Sequence, residues 1–538
     1  MKRRDAIKGL VVGTPAAMAA GCAPATDTTP SQPAGVTLAD FAAKPVDREA
    51  LIASLGLEFT AAERALVFPL LDGYHARGDA LDKIPDPALP VKYPRERGLR
   101  PADADNTLGA WYWRSTVKGA AAGALAGTTV ALKDNIFLAG VPMMVGSSVV
   151  EGFVPGEDAT VATRVLDAGG EILGKAVCEN LCLDGSSHTA ATGPVRNPHD
   201  PTRVTGGSSS GCAALVASKA VDLAVGGDQG GSIRIPAAFC GIVGHKPSWG
   251  LVPYTGAVPL DYSIDHLGPM ALTVRECARL LEVLAGPDGI DPRQVAGLTS
   301  QPYVRLLEKG ARGLRVAVLS EGFGLNGAEA DVEEVVRAAF PRLEKAGMRL
   351  SRVSIPEHLT HAVNSATVVL GVSAMGLSPL VGAGSRGPYL LALHDWLRSR
   401  RSGFAAVSQP LNLRVGQLFA AEVANRSGGH WYAKAQNLTR ALRAAYDRAF
   451  AEVDLLVMPT VARRPPRIPA ADDPQGQLDA AGYLGNNPVN TGQFDNSGHP
   501  AISVPCGTID GLPVGLMLVG RFGEDATVLR AAHAFEQA

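Results

Sequence analysis

The sequence predicts an α/β fold built around a largely buried sheet. Three observations lead there. From about Thr128, short apolar strand-like runs alternate with helical stretches and Gly-rich joints: TTVAL, TVATRVLDAGG, EILG, CAALVASK and VDLAVGG. Continuous apolar runs of this length read as strands covered on both faces, and their alternation with helices reads as a layered sheet. The strand texture returns near the end in DLLVMP, AISVPCG and VGLMLVG. Finally, 46% hydrophobic residues in 538 supply ample apolar surface for a large core.

The elements follow in order. Residues 1–22 read as an export signal. Arg3 and Arg4 form a twin-arginine pair in a short basic head, and a mildly apolar run from Gly9 to Gly21 follows, too short and too rich in Gly and Ala to span a bilayer. Ala19-Ala20-Gly21-Cys22 resembles a bacterial lipobox, so Cys22 is the expected site of cleavage and lipid attachment. That would place the chain in the periplasm or on a membrane through one lipid. Residues 23–36 are rich in Pro, Thr and Ser and read as a flexible tether. Residues 37–105 read as a helical N-terminal segment and linker, with Leu51, Leu55, Leu57, Leu66, Leu70 and Leu71 as its expected buried face. Residues 106–538 read as one catalytic domain, of which 310–460 is the more helical part (DVEEVVRAAFPRLEKAG, LTRALRAAYDRAFAEV) and the expected cover over the substrate.

Several classes are excluded. Fifty basic residues balance fifty-two acidic ones, which argues against a nucleic-acid binder. No apolar stretch of about 18 residues or more lacks charges or breakers, which argues against a multispan membrane protein. Seven cysteines do not make a disulfide scaffold in so long a chain. Cys178 and Cys182 stand four apart, but no His or Cys lies nearby at ligand spacing, so no metal site is expected.

Three features carry chemistry. The run Gly226-Gly227-Asp228-Gln229-Gly230-Gly231-Ser232 follows a strand-like segment, and such a loop can turn sharply and present N–H groups to a developing oxyanion. A second cluster, Gly206-Gly207-Ser208-Ser209-Ser210-Gly211, contains a formal GxSxG around Ser209. A nucleophile elbow needs a buried strand just before it, and polar, Pro-broken RNPHDPTRVT stands there instead. Lys133 ends the apolar strand Val-Ala-Leu and is a candidate base. His245, thirteen residues after Ser232, raises a Ser–His reading, but no acidic residue stands in an obvious orienting role and it is read as structural.

Together these features resemble the amidase signature family. Lys133 precedes Ser208 by 75 residues and Ser208 precedes Ser232 by 24, and the likeness continues at Asn496-Ser497-Gly498-His499-Pro500 and GLPVGLMLVG. The resemblance implies a central mixed, largely parallel twisted β-sheet with helices on both faces. It implies Ser232 as nucleophile, Ser208 as a bridging serine on a cis peptide bond, and Lys133 as base. It implies an oxyanion hole from the backbone N–H groups of Gln229, Gly230, Gly231 and Ser232. Asp228, Arg234, Ser209 and Gly207 would support that loop. The implied reaction is hydrolysis of an amide C–N bond through a serine acyl-enzyme, with water as second substrate and neither metal nor organic cofactor.

Gln229, with Val141-Pro142-Met143-Met144, AVCENLC and GGDQGGSIRIPAAFCG, is similar to the broad-range enantioselective amidases of nitrile metabolism. The implied substrates are small aliphatic and aromatic amides. Related members cleave anilides, carbamates (urethanes) or nylon-type oligomers, or serve as the glutaminase component of a tRNA-dependent amidotransferase. By fold-level analogy the initial helices would support a homodimer. The chain departs from the family at Ser210, where glycine is common, and at Cys212, where serine is common. Ser210 would be strained if its position needed a positive φ.

Overall fold

The computed structural model describes residues 46–360, 363–365, 367, 389–399, 409–482 and 489–538. The expected export signal, lipobox cysteine and tether lie outside these residues. The chain divides into two units at Pro85 and Asp86.

The first unit holds two helices whose starts are written in the sequence. α1 (Arg48–Ser54) is capped by the Asp47 carboxylate, which accepts the Ala50 N–H at 3.0 Å. α2 (Ala61–Leu81) opens with a capping box: the Thr60 hydroxyl accepts the Glu63 N–H, and the Glu63 carboxylate accepts the Thr60 N–H at 2.7 Å. Here the expected buried face is corrected. Neither helix buries a residue, and Leu51, Leu55, Leu57, Leu66 and Leu70 are all exposed, with Leu71 only half-buried. Two helices alone supply too little surface to enclose side chains, so apolar spacing here marks a face without making a core.

The second unit begins earlier than expected, because the supposed linker is part of it. Arg95 forks onto Asp158, Lys92 pairs with Asp167, and the Trp113 indole donates to the Arg97 carbonyl. Its centre is an eleven-stranded sheet: β1 (Trp111–Lys118), β2 (Thr129–Lys133), β3 (Glu171–Ala176), β4 (Leu223–Asp228), β5 (Val243–Lys246), β6 (His266–Ala271), β7 (Arg315–Leu319), β8 (Arg349–Val353), β9 (Leu455–Pro459), β10 (Ala501–Ile509) and β11 (Leu512–Gly520), in spatial order β1-β3-β2-β4-β6-β5-β10-β11-β9-β7-β8. The sheet is mixed, as expected, but less parallel than expected. β2 pairs parallel with β3 and β4, and β7 with β8 and β9; the other six ladders are antiparallel. The parallel pairs are joined by helical crossovers, whereas short returns such as the turn between β10 and β11 lay neighbours antiparallel.

Alternation along the strands sorts the core into layers. Val130 and Leu132 of β2, Leu223 and Val225 of β4, and Leu516 and Leu518 of β11 join one continuous cluster with α3 (Thr160–Asp167), α6 (Val274–Leu284) and the C-terminal helix Asp525–Gln537. On the opposite face, Ala131 and Ala224 pack under α4 (Ser210–Ala217) and α5 (Arg234–Cys240), and a separate cluster gathers Leu456, Met458 and Met517 under the helix His430–Glu452. Helices therefore cover both faces. The small residues of β2 and β4 let α4 approach closely, and a Cβ on Gly211 would collide with the Ala110 carbonyl and the Val177 amide.

Candidate active site

Lys133 is the last residue of β2 and alternates onto the α4 face, where it is fully buried. Its Nζ lies 2.8 Å from the Ser208 Oγ and donates to the Gly227 carbonyl at 3.1 Å. Ser208 follows Gly207 across a cis peptide bond, just before α4, and its Oγ lies 3.0 Å from the Ser232 Oγ. The three side chains form one unbroken Nζ–Oγ–Oγ chain, buried except for slight exposure at Ser232. A hydroxyl both donates and accepts, so such a chain can pass a proton in either direction.

The nucleophile loop spans the exit of β4 and the entry of α5. Asp228 holds it from within. Its carboxylate accepts the Gly231 N–H at 2.6 Å and the Ile233 N–H at 3.0 Å, together with two donors of the Arg234 guanidinium at 3.0 and 2.9 Å. Arg234 reaches on to Asp495 at 2.7 Å and to the Thr491 carbonyl at 3.0 Å, and the Thr491 hydroxyl donates to the Gly230 carbonyl. Burial pushes the Asp228 carboxyl up, but the adjacent Arg234 outweighs it and holds the group well below the usual carboxylate range. Burial and the nearby Asp228 charge push Asp495 well above that range. The Lys246 ammonium lies within 3.3 Å of His266 beneath the same cluster, and burial brings it down to about 8.

This wiring revises the expected oxyanion hole. The Gly231 N–H is committed to Asp228, whereas the N–H groups of Gln229, Gly230 and Ser232 donate to no group among the described residues. Those three are the available donors. Gly231 serves the loop in another way: at φ 133° with Thr491 against it, only a residue without a Cβ fits. Gly207 is similarly crowded, since a Cβ there would stand 2.5 Å from the Ser186 carbonyl.

The alternatives separate cleanly. Ser209 is preceded by no strand, and its hydroxyl ties both polar groups of Gly227, at 3.0 and 3.2 Å. His245 has an acidic neighbour that sequence reasoning missed: its Nε2 lies 3.0 Å from Asp525, at the start of the C-terminal helix. Strand alternation nevertheless puts the pair on the sheet face opposite Lys133, since neighbouring Gly244 points at Ile233 and Ala237 below α5. Ser210 is an ordinary helical residue of α4, outside the positive-φ region, and bonds Glu179 and the Val177 carbonyl, so the feared strain is absent. Cys178 and Cys182 are buried with their sulfurs 3.9 Å apart.

Thr491, Asp495, Tyr254 and Glu179 also shape the site and were not singled out from sequence. Asp495 stands beside the Asn496-Ser497-Gly498 block, the only signal that could have found it. Glu179 accepts from Thr189 and Ser210, and its N–H donates to the Ser208 carbonyl at 3.2 Å.

The chain is similar in sequence and fold to known proteins. The family model described as Amidase matches residues 103–529. An enantioselective amidase of Rhodococcus rhodochrous is 47% identical over 448 residues, 81% of this chain and 84% of the relative. A glutamyl-tRNA(Gln) amidotransferase chain of Koribacter versatilis is 38% identical over 77% of this chain and 85% of its own. The crystal structure of a bacterial aryl acylamidase of the amidase signature family superposes with a TM-score of 0.64 at 26% identity, covering 80% of this chain and 89% of its own.

Proposed function

The chain belongs to the Amidase family and hydrolyses amides, and on that premise we propose that Ser232, Ser208 and Lys133 perform the reaction. The observation that carries this assignment is the buried Nζ–Oγ–Oγ chain. An amide is a resonance-stabilised electrophile whose amine leaves badly unless protonated, so hydrolysis needs both an activated nucleophile and an acid. Lys133, as the free amine, takes the proton of Ser208, which takes that of Ser232. The Ser232 Oγ attacks the carbonyl carbon, and the oxygen's developing charge is received by the open N–H groups of Gln229, Gly230 and Ser232. The proton returns through Ser208 to the departing nitrogen, the C–N bond breaks, and water hydrolyses the acyl-enzyme by the same relay.

Small aliphatic and aromatic amides are the proposed substrates, supported by the 47% identical relative and the aryl acylamidase neighbour. Phenylmethanesulfonyl fluoride should label Ser232, as read by peptide mapping; an intact, unlabelled Ser232 overturns the assignment. Rates on an alkyl amide, benzamide, an anilide, an aryl carbamate and a peptide amide test the substrate class. Strong carbamate turnover with weak alkyl-amide turnover would replace it with a urethanase. Glutaminase activity that depends on a copurifying partner would replace it with an amidotransferase component. For the N-terminus the proposal is export through Arg3-Arg4 with lipid on Cys22, supported by the basic head and the lipobox-like run. An unprocessed Met1 species in the membrane fraction, by intact mass, would overturn it. Light scattering tests the proposed homodimer.

A further inference from the structure

The Gln229 side chain is buried, at 3% exposure, three residues before Ser232. Its Nε2 donates to the Tyr254 hydroxyl at 3.0 Å, and Asn135 Nδ2 donates to the same oxygen at 3.3 Å. Tyr254 in turn donates to the Val258 carbonyl at 3.2 Å. A phenol has one proton to give and two acceptor sites, and in this arrangement Tyr254 uses all three, with the Gln229 amide nitrogen toward it. That leaves the Gln229 Oε1 as a buried acceptor with no partner among the described residues. A buried carbonyl left without a partner costs free energy that a hydrogen-bond donor would recover.

The position of that amide is informative. Gln229 Nε2 and Lys133 Nζ each stand 3.4 Å from the point a Cβ on Gly227 would occupy. The Gln229 amide therefore lies on the Lys133–Ser208 flank of the nucleophile loop. This is the flank from which the proton must reach the departing nitrogen, so the leaving group sits there.

Resting on the Ser232–Ser208–Lys133 reading, we propose that Gln229 Oε1 accepts an N–H of the substrate's leaving nitrogen and thereby selects N–H-bearing amides over esters. In the tetrahedral intermediate the nitrogen is sp³, with one lone pair to be protonated and its N–H bonds to place. Holding one N–H on Oε1 turns the lone pair toward Ser208 Oγ, which delivers the proton. Gln229 exchanges no atom or electron; it orients. An ester's leaving oxygen has no hydrogen to offer and leaves the carbonyl unpaired, so the same residue discriminates against it. Tyr254 is the anchor that keeps Oε1 aimed.

The test compares benzamide with methyl benzoate, which form the same acyl-enzyme, by kcat/KM in the full-length protein. Gln229→Met should lower the amide-to-ester ratio by about tenfold, the size of one hydrogen bond between uncharged partners. Tyr254→Phe should lower it in the same direction by less. A parallel fall on both substrates, or an unchanged ratio, overturns the proposal; if Gln229→Met does not fold, an unchanged ratio in Tyr254→Phe does so alone. Sulfonyl fluoride labelling of the same proteins separates the two readings. Labelled Ser232 with an unmoved ratio refutes only the role of Gln229, and unlabelled Ser232 in the wild type refutes the catalytic assignment beneath it.

Discussion

The two flanks of the nucleophile loop are held by different chemistry. On one side, Lys133, Ser208 and Ser232 meet through single hydrogen bonds of 2.8 and 3.0 Å between groups that can exchange a proton. On the other, Asp228, Arg234 and Asp495 meet through several charge-assisted bonds, all fully buried. On the proposed assignment, the first flank changes protonation during turnover. The second is built to hold the backbone while that happens: Asp228 spends its acceptors on the loop's own N–H groups and on the one side chain that reaches across to Thr491 and Asp495. A buried forked pair is a brace because removing either partner leaves an uncompensated charge. Relay substitutions should therefore remove chemistry at constant stability, and brace substitutions should remove stability first.

That contrast can be broken in graded ways. Ser232→Ala should lower kcat on amides by on the order of 10⁵-fold with an unchanged melting temperature; residual turnover near wild type would end the assignment. Lys133→Met should lower kcat by on the order of 10⁴-fold, with little gain on supplying stronger base in solution, because the site is buried. Asp228→Asn, read by chemical denaturation, should cost roughly 3–5 kcal/mol by removing the charge that anchors the loop N–H groups and one of the two carboxylates on Arg234; a stable but inactive variant would move Asp228 from brace to chemistry.

Lys246 sharpens the comparison through pH. It titrates near 8 in the fold and near 10.4 unfolded, so between those values the unfolded chain binds the extra proton and stability rises with pH. The penalty is fully present below pH 8. Against Lys246→Met, the wild type should gain about 1–3 kcal/mol between pH 8 and 10; parallel curves would show that Lys246 does not titrate there. The smallest effect belongs to Ser209→Ala, which unties Gly227 and should cost about 1–2 kcal/mol with a minor loss of rate. A rate loss as large as that of Ser232→Ala would restore Ser209 as a nucleophile.

Much of the relay was legible because its parts lie at element ends the local pattern marks: Lys133 closes an apolar strand, and two Gly-rich joints carry Ser208 and Ser232. The brace was half legible. Asp228 and Arg234 flank the nucleophile in sequence, but Thr491 and Asp495 come from more than 250 residues away and give no local signal. The Leu51–Leu71 stripe failed for the converse reason, since periodicity reports a face and says nothing of whether anything covers it. The commitment of the Gly231 N–H to Asp228 was not legible, because counting N–H groups in a loop does not show which one a neighbouring carboxylate has already taken.

Local chemistry in the chain thus determined the helix caps at Asp47 and Thr60, the buried strands, the glycine joints and the order of the reacting groups, all set by interactions within a few residues. Only the tertiary structure decided which faces those groups share. Strand alternation and sheet order put Lys133 against Ser208 and sent His245 to the other side. The packing of Thr491, Asp495 and Tyr254 on the nucleophile loop chose which of its polar atoms are occupied and which stay open. The reason is physical: a hydrogen-bonding group has few sites, and how they are used depends on what the whole fold brings within 3 Å.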